Sequence, residues 1–179
     1  TPWFQSLNAG FIFMLAPIFA AGWIWLNKRG FEPPAPTKFG LGILQVGIGF
    51  LVLVFGMGLS GAEGQTAMIW IVLLYLFHTT GELCLSPVGL SSVTKLAVPK
   101  VVGMMMGAWF LASGFGNYVS GLIAAQTGAE TIGGQIVDIA AAKATYMDVY
   151  SSVGWVAIGI GVFVIVISPL VQKAAHGIK

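Results

Sequence analysis

Long apolar runs separated by short polar joins organise this chain. An α-helix needs roughly 20 consecutive, mostly apolar residues to cross the hydrocarbon of a bilayer. Five stretches meet that need: Phe4–Leu26, Phe39–Leu59, Ala67–Thr94, Val101–Thr127 and Val149–Gln172. The joins carry turn chemistry. Asn27–Lys38 holds Gly30 and three prolines, Ser60–Gln65 holds Gly61 and Gly64, and Lys95–Lys100 holds Pro99. The one long join, Gly128–Asp148, contains Gly133-Gly134, and within it Ile136–Tyr146 predicts a short interfacial helix. The fold class expected is therefore all-α, a polytopic membrane bundle of five transmembrane helices at 4–26, 39–59, 67–94, 101–127 and 149–172.

Within these runs, polar positions are few and patterned. The third stretch is interrupted only by His78 and Glu82 among ionisable residues. At 100° per residue, Tyr75, His78, Thr79, Glu82, Ser86 and Gly89 fall within a sector of about 100°. Leu73, Leu74, Leu76, Phe77, Leu83 and Leu85 occupy the remaining faces. Such a stripe is expected to face protein or water rather than lipid. The fourth stretch has a stripe of Trp109, Ser113, Gly116 and Ser120, and the first places Gln5 and Asn8 one turn apart.

Composition sharpens the picture. The chain is 57% hydrophobic and 8% charged, against about 25% charged in soluble domains, so it cannot cover a soluble surface. Cys84 is the single cysteine, which excludes a disulfide framework and a thiolate metal cluster. Five helices put alternate joins on opposite sides. One side receives Lys28, Arg29, Lys38, Lys95, Lys100, Lys173 and Lys179, and the other only Lys143. By the positive-inside rule the first side is cytoplasmic, with the C-terminus there and Thr1 outside. The acids Glu63, Glu130, Asp138 and Asp148 fall on the outer side. An outer start without Met, together with an odd helix count, leads us to expect a piece of a longer protein.

The chain has 25 glycines. Small residues let membrane helices approach closely, and Gly103 with Gly107, and the glycines from Gly40 to Gly58, are expected to serve such packing. Pro17 and Pro87 lie inside helical patterns and favour kinks there.

Glu82 carries the chemistry. A carboxylate near the middle of a bilayer costs about 3 kcal/mol even on the lenient insertion scale. It could bind a cationic group of a substrate, carry a proton, or hold a partner helix. Catalysis is not expected. His78 stands about 12 Å of helix rise from Ser86, too far for a nucleophile–base pair, and no metal or phosphate-binding motif occurs.

The runs Phe4-Gln-Ser-Leu-Asn8-Ala, Gly81-Glu82-Leu-Cys-Leu-Ser86-Pro87-Val-Gly89-Leu and Met106-Gly107-Ala-Trp109-Phe110-Leu resemble the proton-coupled oligopeptide transporters, the POT or PTR family of the major facilitator superfamily. The resemblance covers nearly all of the chain and aligns it with the last five helices, eight to twelve, of the C-terminal half. It implies that Glu82 receives the ammonium of a di- or tripeptide and that Asn8 and Ser86 contact the same peptide. It also implies that Trp109 and Phe110 line a side-chain pocket. Asn8-Ala9 stands where many members have Asn-Pro. The proton is the implied coupling ion, with no further cofactor. Family motifs for proton coupling belong to the N-terminal half and the seventh helix, outside this chain.

The function expected is proton-coupled symport of di- and tripeptides across the cytoplasmic membrane. The bilayer and further helices of the same protein would be its partners, without nucleic acid. Two alternatives stay open: a major-facilitator relative carrying another solute such as nitrate or a drug, and a non-transporting membrane assembly subunit.

Overall fold

A computed structural model describes residues 2–60, 66–128, 131–132, 135–136 and 138–174. Among them run five long helices: α1 (Pro2–Lys28), α2 (Ala35–Leu59), α3 (Met68–Leu96), α4 (Val102–Ala125) and α5 (Ile139–Ala174), with a 3-10 turn at Pro99–Val101. The chain is an all-α membrane bundle. Four of its helices, α1, α2, α3 and α5, are long and apolar enough to cross a membrane. The fourth, α4, is not among them, because glycines, serines and Asn117 dilute its apolar residues.

Local chemistry explains the helix ends. α1 stops at Gly30, whose φ of 75° is the left-handed conformation that suits glycine. Around it Phe31 N–H bonds the Leu26 carbonyl and Gly30 N–H the Asn27 carbonyl, closing a Schellman motif. α2 begins at Ala35, earlier than the expected Phe39, because Pro36 fits the first turn of a helix, where no N–H is needed.

The largest departure from expectation is at α5. Ile136–Tyr146 does not form a separate interfacial helix; α5 runs unbroken from Ile139. Asp138 caps it, its Oδ1 accepting from Ala141 N–H at 2.9 Å. At 1.5 Å per residue the 36 residues of α5 span about 54 Å, well beyond a hydrocarbon core of about 30 Å. Before α5, Thr131–Ile132 pairs antiparallel with Gln135–Ile136. The turn expected at Gly61 and Gly64, the Gly133-Gly134 pair, Glu63, Glu130 and Lys179, and the side chains of Trp3 and Gln5 lie outside the described residues.

α2 is the centre of the bundle and packs through two glycine seams, each with a seven-residue repeat. Gly40 and Gly47 meet Gly161 and Gly154 of α5 so closely that a methyl on Gly47 would stand 2.7 Å from the Gly154 carbonyl oxygen. On another face, Gly42 meets Gly81 of α3, Gly49 meets Phe77 and His78, and Gly56 receives the indole of Trp70. Without side chains at the contact, van der Waals attraction acts between backbones, as membrane interfaces require where lipid supplies no hydrophobic drive. A part-buried pair of hydroxyls, Thr37 Oγ1 and Ser168 Oγ at 2.7 Å, adds a polar link between α2 and α5.

Gly103 and Gly107 do not serve this packing. They stand in open space, and a methyl added at either would meet nothing within 4 Å. No residue of α4 is buried, and the indole of Trp109 lies against Gly89 of α3.

Charge is arranged by ends. Asn27, Lys38 and Lys95 share the wall of one cavity, and Lys95 and Gln172 the wall of the next, so these helix ends lie together. At the opposite end Lys143 Nζ donates to the Ser60 carbonyl at 3.0 Å, capping the end of α2.

Candidate binding site on α1 and α3

The site is built where α1 leans on α3. Asn8, in the second turn of α1, reaches across to Glu82, 74 residues later in the chain. Its Nδ2 donates to Glu82 Oε2 at 3.4 Å, a long contact by hydrogen-bond standards. Thr79, three residues before Glu82 on α3, approaches the other end of the same carboxamide. Its Oγ1 lies 2.6 Å from Asn8 Oδ1 and 2.8 Å from the Tyr75 carbonyl oxygen. Thr79 is fully buried, at 0% exposure, whereas Glu82 is exposed. A buried foot and an open carboxylate therefore share one asparagine.

Helix geometry produces the arrangement. Thr79 and Glu82 are three residues apart, so they sit on one face one above the other. Gly81, between them in sequence, turns toward α2 and lets Gly42 come to van der Waals contact. That contact sets α3 against the bundle and leaves the Thr79–Glu82 face for α1. Pro87 follows one turn after Leu83 inside α3, which removes the N–H that would have bonded the Leu83 carbonyl.

The polar stripe does not meet just one neighbour. It divides among three neighbours. Thr79 and Glu82 face α1. His78 turns to α2, where its ring meets Phe50 edge-on at 4.7 Å. Its Nε2 is buried without a hydrogen-bond partner among the described residues. Gly89 receives the indole of Trp109, which also meets Phe39 edge-to-face at 6.1 Å. A sector that wide spans more than one helix contact in a tightly packed bundle.

The expected site residues thus fall in distinct places. Asn8 and Glu82 are brought together. Ser86 is half-buried one turn beyond Glu82. Trp109 is half-buried on Gly89, seven residues and about 10 Å of helix rise from Glu82. Phe110 is 62% exposed. Thr79 is visible in the sequence only as one member of a stripe. Its place beneath Asn8 depends on a contact across 71 residues.

A second polar cluster sits at the basic end. Lys38 is only 8% exposed. It forms an ion pair with Glu32, which also accepts from Asn27, and its ammonium lies 4.7 Å from the centre of the Trp23 ring. A cavity of about 280 Å³ opens beside it, lined by Pro87, Ser91, Ser92 and Lys95 among others. Glu82 does not line it. No group of three or more histidine, cysteine or acidic side chains could hold a metal ion among the described residues.

Comparison with known proteins places this geometry in context. The model of the POT family, PTR2, matches residues 1–139. The peptide transporter YePEPT of Yersinia enterocolitica is 42% identical over 134 residues, which are 74% of this chain and 26% of that protein. Dipeptide and tripeptide permease A of Chromobacterium violaceum is 35% identical over 97% of this chain and 35% of the permease. The crystal structure of a peptide transporter POT in complex with sulfate superposes with a TM-score of 0.80 at 35% identity, covering 96% of this chain and 31% of that one. The chain spans about a third or less of the length of these relatives.

Proposed function

This chain belongs to the POT family, and we propose that it supplies one wall of the substrate site of a proton-coupled symporter for di- and tripeptides. The observation that carries the proposal is the Asn8–Glu82 pair, a carboxylate and a carboxamide joined across two helices inside apolar spans. A zwitterionic peptide has an ammonium at one end and amides between. Glu82 is the anion for the ammonium, and Asn8 and Ser86 offer neutral hydrogen-bond groups for the backbone. Trp109 and Phe110 offer aromatic surface for side chains.

The exposure of Glu82 supports a site closed by other parts of the protein. A carboxylate facing lipid would cost several kcal/mol, and α4 presents Ser113, Asn117 and Ser120 uncovered. Both faces fit the inner surface of a transporter whose site lies at the midplane between two half-bundles. The coupling proton would be carried at least in part by groups outside this chain. The basic end, with Lys28, Arg29, Lys38, Lys95, Lys100 and Lys173, is the cytoplasmic end by the positive-inside rule, in the cytoplasmic membrane.

The test is Glu82→Gln in the full-length gene product, reconstituted in liposomes. A hydrogen bond to a charged group is worth about 1.5–3 kcal/mol, so dialanine affinity is expected to fall about tenfold or more. A dipeptide with an acetylated N-terminus should bind the wild type weakly and lose little further in the variant. Unchanged dialanine affinity in a folded Glu82→Gln protein would leave Glu82 as a helix-joining residue and refute the proposal.

A further inference from the structure

We propose that Thr79 is a positioning residue of this site: its buried hydroxyl seats the Asn8 carboxamide and turns that group's N–H toward Glu82. The inference rests on the reading of Glu82 as the ammonium-binding carboxylate.

A carboxamide has two unlike ends. Its oxygen only accepts and its nitrogen only donates. Asn8 Oδ1 stands 2.6 Å from Thr79 Oγ1, and Asn8 Nδ2 stands 3.4 Å from Glu82 Oε2. Turning the amide over would set Oδ1 against the Glu82 carboxylate, oxygen against oxygen. One orientation therefore satisfies both ends, and it requires the Thr79 proton to point at Asn8. The hydroxyl has a competing acceptor, the Tyr75 carbonyl at 2.8 Å, but that carbonyl lies within a helix that Thr79 belongs to. The Asn8 oxygen is the nearer of the two acceptors.

Burial makes the seat firm. Thr79 has 0% exposure, and its β-branched side chain is stiff at χ1. The contact at its end is short, whereas the contact at Glu82 is long. Asn8 is thus held from below and touches Glu82 loosely. That is the arrangement a binding carboxylate needs, since an arriving ammonium has to draw Glu82 to itself without dislodging Asn8. With the Thr79 hydroxyl gone, Asn8 keeps no fixed partner when the ammonium engages Glu82, and its amide is free to turn over.

The experiment is a double-mutant cycle in the full-length protein, with dialanine KM and maximal rate measured in proteoliposomes. Thr79→Val is nearly isosteric and removes only the hydroxyl. It is expected to raise KM by about two- to tenfold, the worth of one neutral hydrogen bond, with the maximal rate changed less. Thr79→Ser restores the hydroxyl and is expected to return KM to within about twofold of wild type. In an Asn8→Ala background, Thr79→Val should have no further effect, since the coupling runs through Asn8. An unchanged KM in Thr79→Val, or the same rise in the Asn8→Ala background, would overturn the positioning role. If Thr79→Val lowers thermal stability but leaves KM alone, the contact joins helices only, and the proposal fails. Glu82→Gln, run beside the cycle, reports separately on the carboxylate itself. Loss of amine preference there, with a flat Thr79 cycle, would keep the binding site and remove Thr79 from it.

Discussion

Gly47→Ala and Gly107→Ala are the same chemical change at two places the structure treats oppositely. A methyl on Gly47 would stand 2.7 Å from the Gly154 carbonyl oxygen, 2.8 Å from Ile158 Cγ1 and 2.9 Å from Ile158 N. Two of these three atoms are α5 backbone, which has no rotamer to escape by. Carbon–oxygen contacts settle near about 3.3–3.6 Å, so α5 has to recede by about half an ångström or more. Overpacking of this kind costs about 1–3 kcal/mol. At Gly107 a methyl meets nothing within 4 Å. Both variants share the gain of about 0.5–1 kcal/mol that alanine has over glycine inside a helix. The difference between them therefore isolates the α2–α5 contact. Thermal unfolding of the purified full-length protein, followed by intrinsic fluorescence, is expected to place Gly47→Ala several degrees below Gly107→Ala. Equal transition temperatures would mean that α2 and α5 do not meet through their glycines, and the reasoning from close approach would be wrong.

Two further predictions complete those attached to Glu82 and Thr79. Lys38→Met removes the ion pair with Glu32, whose side chain is 21% exposed and keeps its hydrogen bond from Asn27, and should lower stability by about 1–3 kcal/mol in denaturant titration; wild-type stability in this variant would show that the pair with Glu32 and the contact with Trp23 contribute nothing. Single cysteines at Gly30 and Gly134, in a Cys84→Ser background, should react with an impermeant maleimide from opposite sides of the membrane, and labelling from the same side would refute the orientation.

What can be read from one dimension is whatever depends on runs and near neighbours. The apolar stretches coincide with the observed helices, their ends shifted by a few residues except at the start of α5, which lies ten residues before Val149, because the need for about 20 apolar residues is a property of each segment alone. The stop at Gly30 and the gathering of basic residues at alternate joins are local in the same sense. Glu82 stands out because a carboxylate in an apolar span is costly wherever its neighbours are. The start of α5 beside Asp138 is also local, set by a capping residue. Hydropathy alone misses it, because Lys143 and Asp148 interrupt the first turns of α5, which read as part of a join as far as Val149.

Partners across the bundle are a different matter. Gly47 and Gly107 are both glycines among apolar residues, and no periodicity tells that one meets Gly154 and the other nothing. Lys38 reads as a loop cation until Glu32, Asn27 and Trp23 are seen to close around it. The six-residue stripe on α3 shares one angular sector, yet α1, α2 and α4 divide it among them. Thr79 and Asn8 are 71 residues apart, and which hydroxyl of the stripe lies under which amide depends on how α3 is rotated against α1. That rotation follows from the Gly42–Gly81 approach on the far side of the helix. Helix periodicity specifies which residues share a face; only the packing of one backbone on another decides what each face meets.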